Sequence, residues 1–518
     1  MKFMNYDQKQ SYLLPPTLCE CLAEDHLCFT VSDIVDSIDL SEIEKEYKEE
    51  GHPAYHPKIM IKVLFYGYTQ STRSSRKLEN KTREDIAFRY LTANSHLDHG
   101  TINLFRKNHL KELPLLFSQI VAAIQSLGLA DFSDISLDGT KIKAQASRDK
   151  LLTKERINRM KSQFESFLAE SEKIDAEEDV KFGDKRGYNQ VPERLADPKV
   201  RKEEIRKIQK KLAKLDKASK EIDKKQEEAK KKDETKTKGR QSKRKQNNLS
   251  ATTSNTTDPD ANLLKMKNDS FKMAYNAQVT ASKQFIAAYD VNAESTDTNS
   301  LPEMIKKTEE STKQKVKTIK ADSAYFTKHN MLFLGDNQTE AFIPDKLKEK
   351  DEKKDKAIGK YDRKNFTYDK AKDQFICPEG KPLTLRQKNI FGDGIREYRG
   401  TECRNCPNHD LCVKGVNRHI QVDFKLDKMV SDMRAKLNTK EGKKKYGERQ
   451  YEIEPVFGNL THNQNFTEFL CRGRTMAMIE LGLVSSAHNI KKIFLALKRE
   501  GVKRKEVPWD NLLRIQTM

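Results

Sequence analysis

Three sets of residues in this chain have the types and spacing to do chemistry. The first is a pair of aspartates at the ends of apolar runs. In "DISLDGTKIKAQAS" (134–147), Ile135 and Leu137 alternate as in a strand, and Asp138 follows. Asp-Gly is also a turn dipeptide, so Asp138 reads either as a turn residue or as a metal ligand on a rigid strand end. "KVKTIKADSAYF" (315–326) repeats the setting: Val316, Thr318 and Lys320 alternate, and the run ends in Asp322. Carboxylates placed this way suit a hard cation such as Mg²⁺, which prefers carboxylate oxygen and water. A third acid belongs on a helix, and "KKYGERQYEIEPVFGNL" (444–460) is the candidate stretch. There Tyr446 and Arg449, three apart, share a helical face, and Pro455 is set to kink or restart the helix. Spacing alone leaves Glu448, Glu452 and Glu454 all open as the third acid.

The second set is sulfur. Cys403 and Cys406 form a Cys-x2-Cys knuckle in "ECRNCPNHDLC". Cys412 lies just beyond it, and Cys377 sits upstream, followed by Pro-x-Gly. Four thiolates on two short turns suit tetrahedral structural zinc, with His409 as an alternative ligand and reduced, partly buried thiols as the non-metal alternative. Cys19, Cys21, His26 and Cys28 are irregularly spaced and read better as small buried side chains. Eight cysteines in 518 residues do not make a disulfide framework.

The third set is cationic. Net charge is +20, which suits a polyanion partner, most economically nucleic acid. Residues 201–250 alone hold 20 Lys+Arg against 9 Asp+Glu. These lysines read equally as a solvated helix face or as phosphate contacts. No run approaches the roughly 20 apolar residues of a membrane span, and "MKFMNYDQKQSYLLPP" does not read as a secretory signal.

The elements that must position these groups follow from periodicity. Ile157, Met160, Phe164 and Phe167, then Ile205, Ile208, Leu212, Leu215 and Ile222, are spaced for two amphipathic helices, about 150–175 and 196–229, packed as an antiparallel hairpin. A flexible linker, "KGRQSKRKQNNLSATTSNTT", follows. Around this insert, the strand bearing Asp138 is continued by a hairpin (274–282 and 284–293), a helix from Pro302, the strand bearing Asp322, "HNMLFLGDN" as helix or turn, and a strand at 339–346. Strand, hairpin, helix, strand, helix, strand resembles the ribonuclease-H-like fold, in which the first and fourth strands are neighbours. The first 120 residues read as helices with tight turns, similar to a helix-turn-helix arrangement. The helix from about Thr101 would present Asn103, Arg106 and Lys107 to DNA, with Arg73, Arg76 and Lys77 near the backbone. The alternative is a purely structural helical cap. A long core helix from about Arg472 would bury Met478, Leu481, Val484 and Ile490, with His488 a packed side chain, and Trp509 lies in a tail that docks on the surface.

"LDGTKIKA", "AYNAQ", "IKADSAYF" and "YGERQYEIEPVFGNL", in that order, resemble the DDE transposases of bacterial insertion sequences, in the branch with a Tyr-x2-Arg…Glu-x6-Lys signature. "HPAYHPKIMIKVLFYGYTQSTRSSRKLE" is similar to the helical domain that opens them. The resemblance implies catalytic, metal-holding acids at Asp138, Asp322 and Glu454, and contacts from Tyr446 and Arg449 to transposon-end phosphates. It departs at Thr461, where the signature has Lys; His462 or a nearby lysine could substitute. It implies two Mg²⁺ ions, with Mn²⁺ as a substitute; the candidate zinc at Cys377, Cys403, Cys406 and Cys412 rests on the cysteine spacing. The implied partners are inverted-repeat ends and target DNA, bound as a homodimer and with no membrane, in the bacterial cytoplasm near the nucleoid.

The expected fold is an α/β catalytic core with a ribonuclease-H-like mixed sheet flanked by helices. To it are added an all-α N-terminal domain, a helical-hairpin insertion and a small β-rich cysteine-containing insertion. The corresponding divisions are 1–125; 126–149 with 250–345 and 426–497; 150–249; 346–425; and 498–518. A non-catalytic, zinc-stabilised DNA-binding derivative and a nuclease of the same fold are the alternatives.

Overall fold

Among the described residues seven helices come first: α1 Leu27–Ser37, α2 Ser41–Glu44, α3 Pro57–Thr69, α4 Ser75–Glu84, α5 Ile86–Leu91, α6 His99–Asn108 and α7 Glu112–Ser126. Pro57 sits in the first turn of α3, where a missing N–H breaks no helical bond, and the His56 ring accepts from the Lys58 N–H at the same end. Asp98 caps α6 by accepting from the Thr101 N–H at 3.0 Å. The computed structural model describes residues 16–47, 54–182, 198–234, 253–345, 359–390 and 394–509. Most of the expected linker (235–252) and of the lysine-rich run after residue 345 (346–358) lies outside them.

After β1 (Asp134–Lys143) the chain leaves the main sheet. β2 (Leu151–Thr153) pairs antiparallel with β3 (Thr253–Asn255), and between them run α8 (Lys154–Phe182) and α9 (Pro198–Glu234). Lys154 pairs with Asp223 and Lys161 with Asp216. Partner numbers fall on one helix as they rise on the other, so the two are antiparallel. Leu152, Ile157, Leu215, Ala218 and Ile222 bury a small core of their own, with Met160 and Phe164 packed on it.

The main sheet resumes with β4 (Asn262–Lys265), β5 (Phe271–Ser282) and β6 (Phe285–Asn292). Lys283 and Gln284 both take positive φ, 47° and 70°, the two-residue turn that matches strand twist in a hairpin. Helix α10 (Leu301–Thr312), β7 (Thr318–Ala321), α11 (Lys328–Asp336) and β8 (Glu340–Phe342) complete it. β5 pairs with β4, β6 and β1, all antiparallel; β1, β7 and β8 are parallel neighbours. This is a mixed sheet with helices, an α/β core.

One sequence expectation is corrected here. β1 does not stop at Asp138, and Asp138-Gly139 is not a turn. The strand runs on to Lys143, paired with the long β5 from Ser136↔Ala281 to Lys143↔Ala274. What stops is its parallel pairing with β7, which ends at Leu137↔Ala321. β5 supplies backbone partners that a reading of β1 by itself could not foresee.

The β-rich insertion is a five-stranded antiparallel sheet: β9 (Thr367–Asp369), β10 (Gln374–Ile376), β11 (Pro382–Ile390), β12 (Ile395–Gly400) and β13 (His419–Val422). The short helix α12 (His409–Cys412) lies between its last two strands, and Phe366, Phe375, Leu383, Tyr398, Ile420 and Val422 form its core. Then come α13 (Phe424–Asn438), α14 (Lys440–Glu452), α15 (Glu454–Gly458), a π-helical turn at Asn459–Asn463 and α16 (Arg474–Arg499). α16 buries Leu481, Val484 and Ile490, with Met478 half-buried, against α3, α7 and β6. Residues of the N-terminal helices, the main sheet and α16 thereby share one contiguous core. Trp509 docks by donating its ring N–H to the Arg504 carbonyl (3.1 Å), while Arg504 pairs with Asp33 (2.8 Å). Among the described residues no helix is long and apolar enough to cross a membrane.

Candidate active site

Asp138 is the residue of β1 that follows Leu137, and Asp322 the residue that follows Ala321 on β7. The parallel register therefore sets the two acids side by side. Each is aimed by a backbone bond. Asp138 Oδ1 accepts from the Gly139 N–H (2.8 Å), and Asp322 Oδ1 accepts from the Ala324 N–H (2.9 Å), capping the short 3₁₀ turn Ser323–Tyr325. Burial pushes the Asp138 carboxyl up to about 6. The Arg449 guanidinium opposes this, and the nearby charges of Asp322 and Asp297 add to it. An acid held this way gains strongly from an added positive charge.

The three candidate glutamates are set apart by which way α14 faces. Lys445, Glu448 and Glu452 lie on one face and turn toward the buried Lys320 of β7. Lys320 is 0% exposed and pairs with Asp134 (2.8 Å), Glu448 (3.3 Å) and Glu452 (2.8 Å). Lys445 joins Asp134 at 2.7 Å, and the Ser136 hydroxyl donates to Glu452 at 2.6 Å. Glu448 and Glu452 are thus committed to fastening α14 to β1 and β7. Arg449 faces the aspartates instead: it is 3.4 Å from Asp138 Oδ2 and 4.0 Å from Glu454 Oε1. Pro455, in the first turn of α15, follows the break at Ile453 and lets Glu454 begin a new helix with its side chain half open to solvent. Tyr446 lies half-buried on α14. Thr461, at the position of the signature Lys, donates its hydroxyl to the Phe457 carbonyl (2.7 Å) within the π-helical turn, and His462 beside it is exposed.

The donor set is all carboxylate, borne on two strands and a helix start, which fits a hard divalent cation. Among the described residues, the sets of three ligand-bearing side chains whose donor atoms all lie within 4.8 Å are Glu46/His109/Glu112 and Glu79/Asp98/His99, both among the N-terminal helices. Asp138, Asp322 and Glu454 are spaced more widely, with Arg449 standing between Asp138 and Glu454.

A fourth carboxylate, Asp297, adjoins the site from the loop between β6 and α10, and sequence reasoning missed it. Its signal was indirect: Asn276 and Gln278 of "AYNAQ" are two apart on β5, so they share a face. Both donate to Asp297 Oδ1 at 2.6 Å.

The sulfur residues of the insertion share one cavity but are not among those close-set groups. Cys377, Cys403, Cys406, Cys412 and His409 line one small cavity of about 30 Å³ in the β-rich insertion. Backbone N–H groups of Lys381 and Arg418 donate to the sulfurs of Cys377 (3.2 Å) and Cys403 (3.4 Å). Gly400 leaves room for Cys403, whose sulfur would lie 2.4 Å from a Cβ there. His409 is engaged by its neighbour Asp410 at 2.9 Å. At the other cluster the buried-thiol reading holds only for Cys28. Cys19 and Cys21 are exposed, because they precede α1 in a surface turn.

Of the residues assigned to DNA, Arg76, Lys77, Asn103 and Lys107 are exposed on α4 and α6. Arg73 and Arg106 point inward. Arg73 pairs with the buried Glu480 (2.6 Å), donates to the carbonyls of Glu468 and Asn465, and lies over the Phe466 ring. Arg106 is 5% exposed, donates to the Arg73 carbonyl and lies over Tyr68.

Two family models match the chain. One, described as a transposase DDE domain, covers residues 376–494; the other, a transposase domain (DUF772), covers 17–108. The first match takes in Glu454 and Cys377, Cys403, Cys406 and Cys412, and Asp138 and Asp322 precede it. No curated relative and no solved structure matches the chain.

Proposed function

From the premise that its two family-model matches mark this chain as an insertion-sequence DDE transposase, we propose that it binds the inverted repeats of its element and catalyses strand cleavage and strand transfer at Asp138, Asp322 and Glu454. The observation that carries the reading is the register of β1 on β7, which sets Asp138 beside Asp322, with Arg449 linking Asp138 to Glu454. The strand order, with β1 between an antiparallel β5 and a parallel β7, supports a ribonuclease-H-like core. Two divalent cations, Mg²⁺ or Mn²⁺, would supply activation of the attacking oxygen and stabilisation of the leaving one. Asp138 offers its oxygens from β1 and Asp322 from the turn that ends β7, and Glu454 completes the set from the start of α15. Arg449 exchanges its carboxylate partners for DNA-end phosphate, with Tyr446 beside it, and Arg76, Lys77, Asn103 and Lys107 meet DNA from α4 and α6. The chain acts as a dimer on DNA. Cys377, Cys403, Cys406 and Cys412 hold a structural zinc, consistent with N–H donors on two of the sulfurs.

The test is a supercoiled plasmid carrying the element's ends, with Mg²⁺ or with EDTA. End cleavage and strand-transfer products that need Mg²⁺ support the reading. Cleavage without joining would make the protein a nuclease, and end binding with no cleavage would make it a DNA-binding derivative.

A further inference from the structure

Asp297 is built into the acidic site from behind. It lies in the loop that leaves β6 for α10, and two amides reach it across the sheet. Asn276 Nδ2 and Gln278 Nε2 each donate to Oδ1 at 2.6 Å. Both amides are buried, 1% and 0% exposed, on the face of β5 next to β1. Gln278 is itself held, because the Tyr325 hydroxyl donates to its Oε1. Tyr325 belongs to the 3₁₀ turn that Asp322 caps. The chain of bonds therefore runs from the turn at Asp322, through Tyr325 and Gln278, to Asp297. Both amide bonds fall on one oxygen, so they fix the plane of the carboxylate while its second oxygen takes no part in either.

Space has been kept for this arrangement. Gly139 follows Asp138, and a Cβ there would come within 2.2 Å of Gln278 Nε2 and 2.7 Å of Asp297 Oδ1. The glycine has an ordinary strand conformation, with no positive φ to require it. The demand on position 139 is close approach: the Asp297 carboxylate lies against the backbone of the residue next to Asp138. Its charge is near enough to act on Asp138 and on Tyr325.

Gathering a further negative charge beside Asp138 and Asp322 opposes folding unless a cation is to be bound. Neutral amide donors fix such a carboxylate without cancelling its charge, whereas a lysine or arginine partner would cancel it. We propose that Asp297 is a positioning residue of the acidic site, tethered by Asn276 and Gln278 so that its carboxylate raises the affinity of Asp138 and Asp322 for a divalent cation. The proposal rests on the reading above that those two acids hold one.

Mn²⁺ binding to the full chain without DNA tests it, read from the loss of the free-ion EPR signal, beside the Mg²⁺ dependence of end cleavage. Asp297→Asn should weaken Mn²⁺ binding about tenfold, the lower end of what outer groups contribute at metal sites. It should raise the Mg²⁺ needed for half-maximal cleavage by a similar factor while the rate at saturating Mg²⁺ stays within a few-fold. Asp297→Glu should recover most of the affinity. Should Asp297→Asn fail to fold, Gly139→Ala carries the test: it keeps all four carboxylates, displaces Asp297, and should weaken Mn²⁺ binding in the same direction. Asp138→Asn is the control. If it abolishes Mn²⁺ binding while Asp297→Asn or Gly139→Ala leaves the affinity unchanged, Asp297 has no such role. If Asp138→Asn leaves binding unchanged too, the acid-site reading itself fails.

Discussion

Arg449 and Glu454 show what a single side chain's direction decides. Three glutamates within seven residues of α14 and α15 are chemically equivalent on paper. Lys320, more than 120 residues earlier, separates them by drawing Glu448 and Glu452 to itself. No local pattern could have revealed this, since the selecting group is on another strand. The nearness of Asp138 to Asp322, by contrast, was legible, because the order of elements places their strands together, even though β1 runs on past Asp138. The functional consequence is testable. Glu454→Gln should reduce end cleavage by about a hundredfold or more with DNA binding nearly kept, since a lost ligand removes transition-state stabilisation above all. Glu448→Gln and Glu452→Gln should keep most of the cleavage rate and lower the melting temperature. Cleavage kinetics on all three, with unfolding curves alongside, decide it; full activity in Glu454→Gln would move the third acid elsewhere.

Among the elements, the contact of α14 with β1 and β7 carries an unusual share of charge. Lys320 is wholly enclosed, while its partners Asp134, Glu448 and Glu452 keep some exposure. Removing the lysine strands several acids together. Lys320→Met should therefore cost about 2–3 kcal/mol, somewhat less than the figure for a fully buried pair because solvent still reaches the acids. Chemical denaturation measures it, and an unchanged midpoint would show that the network contributes nothing to holding α14. A second tie joins the π-helical turn after Glu454 to the β5–β6 turn. His488, fully buried on α16, takes a hydrogen bond from Asn459 and gives one to the Gln284 carbonyl, 2.8 Å each. Burial pushes its ring down to about 4. The unfolded ring takes up its proton near 6.5, so this contribution is complete above that pH and is lost as pH falls from about 6.5 through 4. Melting temperature against pH should fall across that window, and the slope should flatten in His488→Gln. In the β-rich insertion, Cys403→Ser or Cys406→Ser should release bound zinc and loosen residues 367–422 while leaving Mn²⁺ binding at the acids unaltered. Elemental analysis finding no zinc in metal-replete protein would refute the site. The knuckle was legible because thiolate spacing is local. Arg73 and Arg106 were misjudged because a charged residue beside a polar helix reads as solvated, and only the tertiary fold supplies Glu480 and the carbonyls that draw them in.

For the molecule as a whole, the heptad-like spacing that foretold α8 and α9 was a sound guide, because the hairpin has its own small core and needs little from elsewhere. Division into a separate N-terminal unit was less visible in either direction: apolar periodicity marks which residues are buried, not against what. The hairpin leaves through β2 and returns through β3, and Lys225 of α9 ties it to β4 of the main sheet at Asn262 (2.9 Å). If the hairpin's lysines meet DNA they meet phosphate, which carries no sequence information. Neutralising six of the lysines between Lys210 and Lys232 should weaken binding about equally for end and random DNA. It should also flatten the dependence of log K on log salt by roughly 0.9 per lost contact. An unchanged slope would make the hairpin a solvated arm or a dimer contact.

The inward turn of Arg73 has a mechanical side. It stands just before α4 and grips the strip at 465–468 through two carbonyls and Glu480. That same strip is stitched to the far end of β1 by Lys143, both along the backbone and through Glu468 at 2.9 Å. A pull on α4 is thus delivered to the strand that bears Asp138 with no slack linker between them. The helix proposed to hold DNA and the strand proposed to cut it are joined by direct contacts, so on the proposed function the reach from grip to cut would be a length built into the protein, to which the element's ends would be matched.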